Sequence, residues 1–157
     1  MLAWKWSDWR NWRLYYPTIL YYIVGDLLYG LLLYNYPLWE RDSPLLKTTF
    51  SDILMTFVAY PAVILIYLSN FPKGLKKQIF YVLLQVVIYT SIEYVALLLG
   101  YFSYHNGWTI WWSLILNCEM YPMLWLHYKK PLWAMVGLLV CTMIGMIYFK
   151  VPISSMK

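Results

Sequence analysis

The sequence predicts an all-α bundle of about five helices crossing a lipid bilayer, with a tryptophan-rich segment at the membrane surface before the first. Three observations predict it. The first is composition: of 157 residues, 62% are hydrophobic and 12% charged, with a mean hydropathy of +0.55. Soluble domains run at about 45–50% apolar and about 25% charged, and a water-soluble fold of this size would leave apolar patches that aggregate. The second is the set of five apolar runs near 15–36, 50–69, 78–100, 108–127 and 131–149, each long enough for the roughly 20 residues a helix needs to cross. The third is aromatic content, 21% of the chain, rich in the Trp and Tyr that collect where hydrocarbon meets headgroups. Helices rather than a barrel follow because no run alternates like a barrel strand, and a lone segment in lipid must satisfy its own backbone.

Residues 1–14, "MLAWKWSDWRNWRL", read as an interfacial segment. Trp4, Trp6, Trp9 and Trp12 interleave with Lys5, Arg10 and Arg13, which sets indoles at headgroup depth and cations near phosphates. The following apolar run is too long for a signal-peptide core, and no small-x-small cleavage site follows it. The bundle itself is expected over 15–149, with a short tail at 150–157. The second span has Asp52 near its outer end and Pro61 near its centre, where a proline removes a backbone hydrogen bond and favours a kink. The connections are short. "PLWERDSPLLKTT" reads as a surface loop, and Asn106-Gly107 in "SYHNGW" as a tight hairpin turn.

Charge sets the expected orientation. With the N-terminus inside, eight cations lie on the inner side: Lys5, Arg10, Arg13, Lys73, Lys76, Lys77, Lys129 and Lys130. Four lie outside: Arg41, Lys47, Lys150 and Lys157. The positive-inside rule therefore places the N-terminus inside and the C-terminus outside. The net charge of +5 does not indicate nucleic acid, because the bases are few and form no contiguous face. Cys118 and Cys141 both fall in apolar runs, without CxxC spacing or paired histidines, and read as small buried thiols. No metal or cofactor is expected.

Three carboxylates lie inside the runs: Asp26, Glu93 and Glu119. An ionised group there costs about 2.5–3.5 kcal/mol on insertion scales, so each needs a companion. Tyr22 and Tyr29 share a helix face with Asp26, and Tyr89 and Thr90 share one with Glu93; Gln85 and Asn117 add amides. Asp26, Glu93, Glu119, Tyr22, Tyr29, Tyr89 and Asn117 are the candidate ligand-binding residues. One reading makes them hydrogen-bonded glue between helices. Another makes them a cation or proton site of carboxylates and aromatic faces, kept open by the absence of Lys or Arg within the spans. A third has them dock another membrane protein. His127, Lys129 and Lys130 at the inner end of the fourth run are candidates for an anionic headgroup, against the plainer role of positive-inside anchors.

The stretches "DWRNWRLYYPTILYYIVGDLLY", "YNYPLWE", "GYFSYHNGW" and "LHYKKPL" resemble an uncharacterised family of small multi-pass membrane proteins from Gram-positive spore-forming bacteria. The resemblance covers most of the chain and implies a protein of the bacterial cytoplasmic membrane. It brings no established activity and no catalytic residue. An enzyme is the least supported class: the loops are short, and there is no HExxH pair, GxSxG elbow or phosphate loop. Binding or passage of a cation, proton or amphiphile comes first, in a homo-oligomer if a pathway is to be enclosed. An accessory subunit of a membrane complex comes second.

Overall fold

The computed structural model describes residues 7–42 and 48–156. The expected roles of Trp4, Lys5, Trp6, Lys47 and Lys157 therefore lie outside the described residues. The chain is mostly helical. α1 spans Trp12–Leu32, α2 Thr48–Leu54, α3 Tyr60–Ser69, α4 Leu75–Leu98, α5 Ile110–Lys129 and α6 Pro131–Tyr148. A π-helical stretch, Met55–Ala59, joins α2 to α3 into one rod. That wide turn ends two residues before Pro61, at the head of α3. Pro61 lacks an N–H and crowds the carbonyl four residues back, and an i→i+5 turn is one way to absorb the misfit.

Three of these helical rods are long and apolar enough to cross a membrane: Thr49–Ser69, Leu75–Leu98 and Pro131–Tyr148. The other two, α1 and α5, coincide with expected runs but carry more polar residues, and their position explains why. The buried residues of α5 are Ser113, Asn117, Tyr121, Leu124 and His127, spaced four, four, three and three apart on one face. α1 buries Tyr15, Thr18, Ile19 and Ile23. In contrast, α4 buries only Val86 and α6 only Ala134 among the described residues. Most of the exposed side chains of α4 and α6 are large and apolar, while the buried face of α5 carries Ser113, Asn117 and His127. That is the reverse of a soluble protein, where apolar residues go inside, and it suits an apolar solvent.

Contacts at the two ends fix the helix directions. At one end Tyr15 stacks on Tyr128 (5.8 Å between ring centres) and Phe71 on Trp125 (3.9 Å). This end gathers the start of α1, the α3–α4 turn and the α5–α6 joint. At the other end, strands β1 (Trp39–Glu40) and β2 (Ser103–Tyr104) pair antiparallel in the register Trp39↔Tyr104 and Glu40↔Ser103. Successive rods thus alternate in direction. The Asn106-Gly107 turn is present, with φ of 50° and 83° and Trp108 N–H donating to the His105 carbonyl, as in a primed turn. α4 and α6 end alike: Tyr101 and Val151 N–H bond back to the Ala96 and Met146 carbonyls, past left-handed Gly100 and Lys150, the Schellman arrangement. The second of these turns folds Val151 under Trp108 in a small cluster with Leu33 and Leu38.

Candidate functional site

The first polar centre is built around Arg41, which the loop after β1 delivers beneath the helix ends. Its Nε donates to Asp52 at 2.6 Å, Nη1 to the Tyr60 hydroxyl at 2.8 Å, and Nη2 to Asp26 at 3.5 Å. Thr56, brought round by the π-helical stretch, donates its hydroxyl to the other oxygen of Asp26. Arg41 and Asp26 are well covered, with side chains 15% and 16% exposed, whereas Asp52 is 43% exposed. Burial works against the Arg41 cation, but Tyr60, Asp52 and Asp26 outweigh it and hold its pKa above the ordinary value. Tyr22 packs edge-on against Tyr60 (4.9 Å). Asp26 is therefore supplied with a counter-ion from outside its helix.

Glu93 belongs to a separate centre between α4 and α5. It accepts from the Tyr104 hydroxyl at 2.7 Å and from the Ser113 hydroxyl, and Ser113 in turn accepts from the Trp108 indole at 2.9 Å. Burial, reinforced by the Glu93 charge, raises the Tyr104 pKa and keeps the phenol a donor. One turn along, Asn117 donates to Thr90 at 3.0 Å.

Glu119 lies on the opposite side of α5, where its neighbours are the Cys141 thiol and Tyr21. Among the described residues it forms no ion pair. It faces a cavity of about 240 Å³ between α1, α5 and α6. α5 packs against both α1 and α6, while α1 and α6 pack little against each other. They meet where the Tyr21 hydroxyl donates to the Ala134 carbonyl at 3.1 Å, and beside Gly25, where Leu138 approaches. Beyond that, the cavity runs to an aromatic end formed by Tyr29, Trp39, Trp108 and Phe149. Its lining is mostly apolar, with Asp26 and Glu119 as its carboxylates.

Of the seven candidate ligand residues, this cavity brings together Asp26, Glu119, Tyr22 and Tyr29. Glu93, Tyr89 and Asn117 do not line it. Tyr29 serves the loop rather than a carboxylate: its hydroxyl donates to the Trp39 carbonyl at 2.7 Å and accepts from the Leu38 and Trp39 N–H groups. At the other end, His127 is buried, with Nδ1 3.0 Å from the Thr18 hydroxyl and its ring stacked on Tyr21. Lys129 lies over the Trp125 and Tyr128 rings at 4.7 and 5.0 Å. Lys130 is exposed.

Sequence reasoning used Arg41 for orientation and noted Asp52 near a span end, but made neither these two nor Thr56 and Tyr60 candidate site residues. A signal was there: residues 52, 56 and 60 are spaced four apart, one face of a helix, and the first of them follows Arg41 by 11 residues. Compared with protein-family models, curated proteins and solved structures, the chain matches none.

Proposed function

We propose that this chain is a five-span integral protein of a cell membrane that binds a lipid-like amphiphile in the cavity between α1, α5 and α6. The cavity carries the reading: an elongated, mostly apolar space of about 240 Å³ with a carboxylate in its wall, between helices that touch at one end. An apolar cavity of roughly 150 Å³ already takes up benzene, so this one accommodates an alkyl or aryl body. A continuous ion path across three acids is less well supported. Asp26 is occupied by Arg41, and Glu93 is held by Tyr104 and Ser113. The long apolar faces of α4 and α6 suit acyl chains. The same faces suit a second copy or another membrane protein, the accessory-subunit reading.

Two measurements test the proposal. With Cys118 and Cys141 replaced by alanine, single cysteines at Ser7, Asp42, Asn106 and Lys130 are exposed to a membrane-impermeant maleimide in intact cells. Five crossings with the N-terminus inside predict labelling at 42 and 106 only. Labelling on one side for both ends of α1, or both ends of α5, refutes five spans. In the second, the chain is extracted in mild detergent and weighed by native mass spectrometry. A retained lipid-sized adduct is expected, and it should disappear in Thr142→Phe, which fills the cavity from α6. An adduct unchanged by that substitution places the amphiphile elsewhere.

A further inference from the structure

The cavity's two carboxylates are not equivalent. Asp26 has a guanidinium at 3.5 Å and a threonine hydroxyl on its second oxygen. Glu119 has a thiol and a tyrosine near it, and no cation among the described residues. In surroundings this apolar an unpaired carboxylate is costly, and a ligand bringing its own positive charge removes that cost. The rest of the wall fits the remainder of such a ligand. Met123, Met146 and Leu138 offer flexible apolar surface, and Trp39, Trp108 and Phe149 close the far end. Because α1 and α6 pack little against each other, the route in is sideways between them, from the level of the acyl chains.

We infer that the site selects cationic amphiphiles: a single alkyl or aryl body with an ammonium group that pairs with Glu119. The inference rests on the cavity being an amphiphile site and adds the sign of the charge it takes. An anionic or neutral molecule of the same length fills the same apolar space but leaves the Glu119 carboxylate unpaired or repelled.

The test uses the full chain in nanodiscs of zwitterionic phospholipid, with empty nanodiscs as background. Octylammonium, octanol and octanoate are titrated by equilibrium dialysis at neutral pH. Octylammonium is expected to bind saturably, near one per chain, and at least about tenfold more tightly than octanol or octanoate. Glu119→Gln should abolish that preference, while Thr142→Phe should remove binding of all three. Equal binding of the three probes by the wild-type chain overturns charge selection and leaves the amphiphile site standing. Binding of none above background overturns both. An unchanged octylammonium preference in Glu119→Gln overturns the role of that residue. The wild-type comparison decides the point even if the Glu119 variant does not fold.

Discussion

Replacing Arg41 with methionine is expected to lower the stability of the folded chain by about 2–3 kcal/mol, the largest effect of any single charge removal. The side chain reaches two carboxylates and a phenol at once. Breaking a buried pair by deleting one partner typically costs about 3–5 kcal/mol, because the charge left behind is uncompensated. Two features bring the figure below that range. Asp52 is nearly half exposed and regains solvent, and exposed pairs contribute little. Asp26 keeps Thr56 as a donor. What is left is the cost of a covered Asp26 without a cation. The double variant Arg41→Met/Asp26→Asn should therefore recover a good part of the loss, a coupling that a double-mutant cycle isolates. Arg41→Lys should fall between, since one ammonium cannot span three acceptors with the planar fork of a guanidinium. Reversible unfolding in mixed micelles supplies the measurement. If Arg41→Met leaves the unfolding midpoint unchanged, Asp26 is not held as an ion pair.

That residue also marks where sequence reading gave out. The positions of the helices were legible because they depend on local composition: the expected runs 15–36, 50–69, 78–100, 108–127 and 131–149 lie over Trp12–Leu32, Thr49–Ser69, Leu75–Leu98, Ile110–Lys129 and Pro131–Tyr148. The Asn106-Gly107 turn was legible for the same reason. Three of these helices are long and apolar enough to cross a membrane. Partner choice was not local. A loop arginine flanked by acids looks like a surface residue, and only the pairing of β1 with β2 and the placing of Asp52, Thr56 and Tyr60 turn it inward. The spans offer the acids no Lys or Arg, and the cation that reaches Asp26 comes from the loop instead. His127 was read as facing headgroups from its place at a helix end, yet α5 is the central helix and that position lies on its buried face. A single sequence has no signal for which of five apolar helices sits in the middle: α4 carries Gln85, Thr90, Ser91 and Glu93 yet buries only Val86 among the described residues, while α5 is the helix that packs against α1, α3, α4 and α6.

Tyr67→Ala is expected to destabilise the bundle by about 3 kcal/mol, against roughly 0.6–1 kcal/mol for Tyr67→Phe, and the contrast tests what holds these helices together. Tyr67 is 0% exposed. Its ring packs among Phe71, Tyr81 and Tyr121 with centres 5.0–5.6 Å away, and its hydroxyl donates to the Tyr121 carbonyl at 2.8 Å. The Tyr81 hydroxyl returns a bond to the Tyr67 carbonyl, so one residue ties α3 to both α4 and α5. Removing the ring opens a void, and deletions of buried aromatics cost about 3–5 kcal/mol; the lower figure applies because lipid is as apolar as the core, leaving lost packing contacts rather than transfer from water. The hydroxyl alone is a single interhelical hydrogen bond, worth about 0.6 kcal/mol on average within membranes. Ile92, 62% exposed on α4, is the control: in lipid its truncation to alanine should change stability by less than about 0.5 kcal/mol. Unfolding of the three variants in the same micelles decides the matter. Equal losses for Tyr67→Ala and Tyr67→Phe would assign the adhesion to the hydrogen bond, whereas the expected spread assigns it to close packing of rings between helices that gain nothing by leaving water.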